Sequence, residues 1–373
     1  MERRYRQNGT MIDLDAMLAD LEELVNTESP SLEIALLEQS AKVLADLMAS
    51  RLGSRPTIVS GPVGPHVHWS GEGEPRVLIV GHHDTVFPIG TVAARPFAIA
   101  HGRATGPGVF DMKSGIVQVL HAVASLADRS GIEILITSDE EVGSGSSRDL
   151  IEQRALACGA VLVAEPAAEG GALKTARKGV GTFELIVHGR AAHAGLEPEK
   201  GINSLVAAAE LIGRITTFGN TTTGTTVTPT MASAGTAENV VPATTRIKVD
   251  VRVEMPGEKE RVEAAMNSLS TSVAGATIEV LGGINRPPMP ESASATLMPL
   301  AVQAATDIGM GSINGVAVGG GSDGNFTAAV GVPTLDGLGG VGGGAHADHE
   351  FVQVDTMVQR AQLMAALLTR LRS

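Results

Sequence analysis

The hydrophobic positions of this chain follow two rhythms, and the change between them falls near Lys174. Before it, the short apolar runs Val77-Leu78-Ile79-Val80, Ile132-Glu133-Ile134-Leu135-Ile136 and Val161-Leu162-Val163-Ala164 alternate with segments of helical period. Runs of that length read as strands buried on both faces, and their alternation with helices predicts a mostly parallel sheet covered on both sides. Residues 12–53 read as helical, with Ser29-Pro30 as N-cap and first helical position and Leu32, Leu36, Leu37 and Leu44 in the apolar stripe. Residues 116–126 read as a further helix of the same layer.

Beyond Lys174 the order becomes strand (182–187), helix (203–215), strand (225–231), strand (246–254), helix (258–273) and strand (277–281). That β-α-β-β-α-β order predicts a ferredoxin-like unit. In its fourth element Ile247, Val249, Val251 and Val253 alternate with Arg246, Lys248, Asp250, Arg252 and Glu254, so one face packs and the other is polar. After Arg286-Pro287-Pro288 the α/β pattern resumes and closes on a helix near 357–371. The expected architecture is therefore an α/β domain of residues 1–174 and 287–373, with a mixed, mostly parallel sheet, interrupted by an α+β lid of residues 175–286. A length of 373 residues agrees, because single cores stop growing at about 250 to 300.

Composition narrows the function classes. The chain carries 28 Lys plus Arg against 41 Asp plus Glu, a formal charge of −13, which repels nucleic acid and anionic membranes, so any anionic ligand needs local arginines. Aromatics make up 2%, too few for base-stacking surfaces. The single Cys158 can form no internal disulfide, the start Met1-Glu2-Arg3-Arg4-Tyr5-Arg6 is charged rather than apolar, and no stretch reaches the ~18 apolar residues of a membrane span. A soluble cytoplasmic protein is expected.

The chemistry is concentrated just beyond the apolar runs. His82, Asp111, Glu141, Glu165 and His346 each follow a strand-like run or a glycine-rich turn, and side chains placed beyond the carboxyl ends of a parallel sheet converge on one crevice. Imidazole and carboxylate donors suit Zn²⁺, Mn²⁺ or Co²⁺, which points to a two-metal hydrolase. Asp111, in the turn Gly106-Pro107-Gly108-Val109-Phe110-Asp111, is the natural bridge between two cations. Asp84, two residues after His82, is placed to accept the hydrogen bond of the imidazole's other nitrogen. Of the pair Glu140-Glu141, one can ligate while its neighbour stays free to take a proton from water, and Glu140 fits the role of general base. His83, His101, His121 and His349 read as surface or structural histidines.

These blocks, His82-His83-Asp84-Thr85-Val86, 106–115, 138–143, Glu165-Pro166 and Gly344-Ala345-His346, together resemble the five metal-site blocks of the co-catalytic dizinc exopeptidases. That family includes aminoacylase, acetylornithine deacetylase, succinyl-diaminopimelate desuccinylase and bacterial glutamate carboxypeptidase, and the resemblance covers nearly the whole chain. It implies two divalent ions, zinc first with cobalt or manganese as alternatives. One would be held by His82 and Glu165 and the other by Glu141 and His346, with Asp111 shared and Glu140 as base. It further implies that the lid carries a homodimer interface, that His193 reaches the partner's active site and stabilises the oxyanion, and that Asn239, Arg252 and Arg286 contact substrate.

The blocks 106–111, 138–149 and 192–204 are most similar to the glutamate carboxypeptidase branch, which implies release of a C-terminal amino acid from a peptidyl or N-acyl group. In His346-Ala347-Asp348-His349-Glu350 the acidic residue stands four positions after the histidine, a spacing nearer the deacylase branches, so an N-acyl-amino-acid deacylase is the alternative. A non-catalytic, metal-stabilised binding protein would have no need of Glu140. Gly337-Leu338-Gly339-Gly340-Val341-Gly342 satisfies a dinucleotide fingerprint but runs into Gly343-Gly344-Ala345-His346 rather than a helix, which speaks against nucleotide binding.

Overall fold

The computed structural model describes residues 11–255 and 257–372, and the charged run Met1 to Arg6 lies outside them. The chain divides into two compact units, one formed by the residues up to Ala176 with Glu291–Val318 and the residues from Ser322 on, the other by Arg177–Pro290 with Gly319–Gly321.

The first unit is built on a six-stranded sheet in the order Thr57–Val59, His66–Ser70, Ile132–Thr137, Val77–His82, Ala160–Val163, Thr334–Leu335. The last four strands are parallel and the first two antiparallel, the mixed, mostly parallel sheet expected. Every residue of Val77–His82 and of Ile132–Thr137 is buried, because helices cover both faces. Side-chain alternation divides those strands between two cores. Val77, Ile79, Ile132, Ile134, Ile136 and Leu162 pack with Met17, Leu44, Ile116, Leu120 and Leu363. Leu78, Val80, Leu135, Val161 and Val163 pack with Ile151, Ala155 and Phe326 on the other face. Burial of each such side chain contributes roughly 1.5–3 kcal/mol, so the strand ends are rigid points from which ligand residues can project.

The N-terminal helical prediction is corrected. Residues 12–53 form two helices, Leu14–Asn26 and Ile34–Leu52, with Asp13 capping the first. Ser29-Pro30 starts no helix: the Thr85 N–H donates to the Ser29 carbonyl at 2.8 Å and the Ser31 N–H to the Thr85 carbonyl at 3.1 Å. This connector thus spends its main-chain groups on the loop that follows His82. Leu32 leaves the predicted stripe, 57% exposed with φ +71°.

The second unit is a four-stranded antiparallel sheet in the order Thr226–Ala234, Thr244–Val253, Gly179–His188, Thr277–Arg286, the ferredoxin-like arrangement. Ile247, Val249, Val251 and Val253 are fully buried against residues of the helices Ser204–Ile215 and Glu258–Asn267. The second helix is shorter than predicted. Beyond Asn267 the chain turns away, and the Thr271 hydroxyl and the Ser272 N–H donate to the Glu210 carboxylate at 2.8 and 2.9 Å. Among the described residues no helix is long and apolar enough to cross a membrane.

Candidate metal centre

Three chain segments leave the first unit's sheet at the same edge. His82 is the last residue of the central strand, Asp139, Glu140 and Glu141 follow the strand Ile132–Thr137, and Glu165 follows Ala160–Val163. Asp111 arrives from the turn opened by Gly108, whose φ of +72° places it in the region that favours glycine and brings it against Thr85. The peptide bond from Asp111 to Met112 is cis.

Asp111 faces two histidines with its two oxygens. Its Oδ1 lies 3.3 Å from His82 Nε2, and its Oδ2 lies 3.4 Å from His346 Nε2. His82 Nε2 is also 3.4 Å from Glu165 Oε1, and His346 Nε2 is 3.1 Å from Glu141 Oε2. Ligand atoms of His82, Asp111 and Glu141 lie within 4.8 Å of one another, as do those of His82, Glu140 and Glu165. The five predicted ligands and Glu140 are therefore gathered in one cluster with Asp111 between its halves.

The donor set fits a pair of divalent cations. Glu141 Oε1 is buried with no hydrogen-bond partner, an orphaned anionic oxygen that protein structures ordinarily supply with a partner. Asp111, Glu140, Glu141 and Glu165 bring four carboxyl groups into the cluster, a number that, once ionised, two divalent cations would balance. The electrostatics agree. Hydrogen bonding to Asp111 and then Glu141 lifts His346 to about 10. For His82 burial opposes the charged form, yet the carboxylates of Asp111, Asp84 and Glu165 raise its pKa well above the ordinary value. Burial, with Asp111 adding to it, raises the Glu141 carboxyl. The cluster is a strong field seeking positive charge.

Asp84 differs in detail from the sequence expectation. The His82 Nδ1 hydrogen bond goes to the backbone carbonyl of Asp84 at 3.0 Å, with the Asp84 carboxylate at 3.4 Å. That carboxylate, fully buried, accepts the N–H groups of Glu140 and Glu141, each at 3.2 Å, and the Ser31 hydroxyl at 2.8 Å. Asp84 thus fixes both glutamates as well as lying beside the imidazole. Sequence reading missed Ser31, which the helix prediction had placed in an ordinary first turn, and it left Glu350 without a role. Of the four histidines set aside, His83 is buried between Ser40 Oγ at 3.0 Å and the Pro65 carbonyl at 3.1 Å, and His121 meets Asp20 at 2.7 Å.

The remaining predicted residues lie in the second unit, in two groups. His193 bridges to Val240, and the Ala194 N–H donates to the Asn239 carbonyl at 2.8 Å, so His193 and Asn239 lie on neighbouring segments. His193 Nδ1 accepts the N–H groups of Gly195 and Leu196 at 3.1 and 3.2 Å, which leaves the ring proton of the neutral form on Nε2. Arg252 and Arg286 both register with Val180, one strand to either side, with the register of the second strand shifting between Ile284 and Arg286. The Arg252 fork is engaged by Asp250, at 3.0 and 2.9 Å, and Arg286 is 5% exposed.

Comparison with known proteins supplies the family. A match to the peptidase family M20/M25/M40 runs over residues 78–370. The chain belongs to that family. It is 30% identical over 375 residues to carboxypeptidase G2 of Pseudomonas sp. strain RS-16, covering 95% of this chain and 88% of that protein. It is 31% identical over 230 residues to the succinyl-diaminopimelate desuccinylase of Rhodospirillum centenum, covering 55% of this chain and 59% of that one. Among solved structures, an M20-family metallo-carboxypeptidase from Sulfolobus solfataricus superposes with a TM-score of 0.78 at 17% identity, over 94% of this chain and 98% of that chain. The fold and the family are thereby fixed. The glycine run 337–342 fits as well: Gly342–Gly343 pairs with the strand Phe351–Gln353, and a Cβ at Gly339 would collide with the Ala164 carbonyl, so this stretch is packed ribbon rather than a nucleotide cradle.

Proposed function

We propose that this protein hydrolyses the amide bond between a peptidyl or N-acyl group and a C-terminal amino acid with a free carboxylate, in the manner of a glutamate carboxypeptidase. The observation that carries the reading is Asp111, one oxygen toward His82 and the other toward His346, with Glu140 in the same cluster. Membership of a peptidase family and the likeness to carboxypeptidase G2 support it.

His82 and Glu165 would hold one divalent cation and Glu141 and His346 a second, with Asp111 shared; zinc is the preferred occupant, with cobalt or manganese as alternatives. When bound, the cations supply Lewis acidity toward the scissile carbonyl and make water a better nucleophile at neutral pH. Glu140, left outside the ligand set, takes the proton from the attacking water and returns it to the leaving nitrogen, and a single carboxylate serves both transfers. Asp84 holds Glu140 for that task through its backbone N–H. His193 would reach the partner's site and, with the proton of its neutral form on Nε2, offer a donor to the oxyanion, and Asn239 would contribute a further polar contact to substrate. Arg252 or Arg286 would clamp the substrate carboxylate by a bidentate contact; the Arg252 fork binds Asp250 in this structure and would have to exchange that partner for substrate.

A homodimer formed through the lid belongs to the same reading. Exposed Leu205 (48%), Val206 (51%) and Met231 (65%), on the helix Ser204–Ile215 and the edge strand Thr226–Ala234, support it. A cytoplasmic address is also proposed, supported by a single cysteine. The second reading, an N-acyl-amino-acid deacylase, is favoured by the likeness to a desuccinylase. A hydrolysis screen separates the two. Apoenzyme reloaded with Zn²⁺, Co²⁺ or Mn²⁺ is given short peptides, N-acyl amino acids and their C-terminal amides. The carboxypeptidase reading expects peptidyl or N-aroyl amino acids to be preferred and amides to be poor. Equal turnover of acids and amides would refute both readings in favour of a general amidase.

A further inference from the structure

Glu350 is fully buried four residues beyond His346, and its carboxylate is occupied entirely by backbone. Its Oε1 accepts the N–H groups of Phe110 and Asp111, each at 2.8 Å, and its Oε2 accepts that of Gly108 at 3.0 Å. These three amides belong to the turn that delivers Asp111. The Glu350 main chain meanwhile closes the turn that delivers His346: the Glu350 N–H donates to the Ala347 carbonyl at 3.1 Å and the Ala347 N–H to the Gly344 carbonyl at 2.9 Å. Within that turn His346 itself has φ +63°, a left-handed conformation that a non-glycine residue keeps only when its surroundings enforce it. Arg95 grips the other side. Its Nη1 donates to the carbonyls of Asp348 at 2.6 Å and Ala347 at 3.4 Å, while its guanidinium stands 4.8 Å from the centre of the Phe87 ring. One side chain therefore joins the backbone of the shared carboxylate to the backbone of a histidine ligand 235 positions further along the sequence, and the strand Phe351–Gln353, paired to Arg103–Thr105, anchors it from behind.

We propose that Glu350 is a positioning residue that sets the separation of Asp111 and His346, and with it the affinity for the cation those two share with Glu141. The inference rests on reading those residues as metal ligands. With no exposed surface and three backbone donors, Glu350 neither touches substrate nor ligates. The late acidic residue that aligned this chain with the deacylase spacing is therefore a device of the metal site rather than a mark of substrate.

The test is Glu350→Gln, read by Zn²⁺ calorimetry and by the visible spectrum of stepwise Co²⁺ titration into apoprotein. The amide keeps the shape but has a single acceptor oxygen, so one of the three N–H groups must face an NH₂. The dissociation constant of the equivalent on His346 and Glu141 should rise by about 10- to 100-fold and its Co²⁺ spectrum change, with a smaller effect on the other equivalent through the shared Asp111, as expected when a group that orients a ligand is altered. Arg95→Gln, which leaves the Asp111 turn untouched, should weaken the same equivalent by a smaller factor and serves if the first variant does not fold. Unchanged constants and spectra in a folded variant, or equal weakening of both equivalents, would overturn the proposal. His346→Ala separates the layers: if it abolishes one equivalent while Glu350→Gln changes nothing, only the positioning role fails. If it too leaves both equivalents intact, the ligand assignment falls and the proposal with it.

Discussion

Asp84→Asn distinguishes what Asp84 does from what its spacing to His82 suggests. The substitution preserves volume at a fully buried site but replaces one carboxylate oxygen by an NH₂. The carboxylate serves three donors, the N–H groups of Glu140 and Glu141 and the Ser31 hydroxyl. An amide oxygen can take one backbone N–H, and the serine can rotate to accept, which leaves one glutamate N–H against a donor. A buried donor without a partner costs about 1–3 kcal/mol, and a hydrogen bond to a charged group is worth about 1.5–3 kcal/mol, so a destabilisation of about 2–4 kcal/mol is expected unless the Glu140-Glu141 turn shifts to relieve it. The His82 imidazole keeps its hydrogen bond, because the acceptor at 3.0 Å is the Asp84 backbone carbonyl. The equivalent held by His82 and Glu165 should therefore stay within about threefold of wild type, while the one that needs Glu141 weakens by about 10- to 100-fold and kcat falls with the displaced Glu140. Calorimetric metal titration of apoprotein, denaturant unfolding and steady-state kinetics on the same preparation measure all three. If stability is unchanged and the weakened metal is the one on His82, Asp84 works by orienting the imidazole and the argument from its backbone partners is wrong.

Further outcomes follow from the same contacts. Glu140→Gln should retain both cations and lose about 10²- to 10⁴-fold in kcat, as checked by metal analysis and kinetics together. Replacing the arginine that holds the substrate carboxylate, by Arg286→Gln or Arg252→Gln, should raise KM for substrates with a free carboxylate and abolish the discrimination between acid and amide, measured by steady-state kinetics on paired acid and amide substrates. Asp20, buried, is driven upward by desolvation but held below the ordinary carboxyl value by His121 and Arg51, so its contribution to stability is complete above the unfolded-state pKa and is lost as pH falls through the depressed folded-state pKa. Asp20→Asn should accordingly lower stability at neutral pH and flatten its decline below about pH 4, measured by denaturant unfolding across pH.

The clustering of the candidate ligands was legible because each follows a strand or a glycine turn, and a buried strand announces itself as an unbroken apolar run: Val77–His82 and Ile132–Thr137 are of that kind. The second unit was legible in the strict alternation of Thr244–Val253. What escaped is what long-range main-chain bonding decides. Ser29-Pro30 carries the local signature of a helix start, yet bonds to Thr85 override it. Glu350 was visible in sequence only as a spacing after His346, and Arg95 not at all, because their partners are backbone groups, which carry no residue identity to pair with. The pairing of Arg252 with Asp250, two positions away on the same strand, was likewise not read from the alternation of that strand.

The central claim is a two-cation hydrolytic site organised by a shared Asp111, and metal stoichiometry tied to activity tests it most directly. Apoprotein prepared by chelation should be inactive, should bind two Zn²⁺ or Co²⁺ per chain, and should recover hydrolysis of a peptidyl or N-acyl amino acid as the pair fills. Asp111→Ala should lose both equivalents, since each half of the cluster uses one of its oxygens. Full turnover by rigorously metal-free protein, or an Asp111→Ala variant that still binds two cations and turns over normally, would contradict the account.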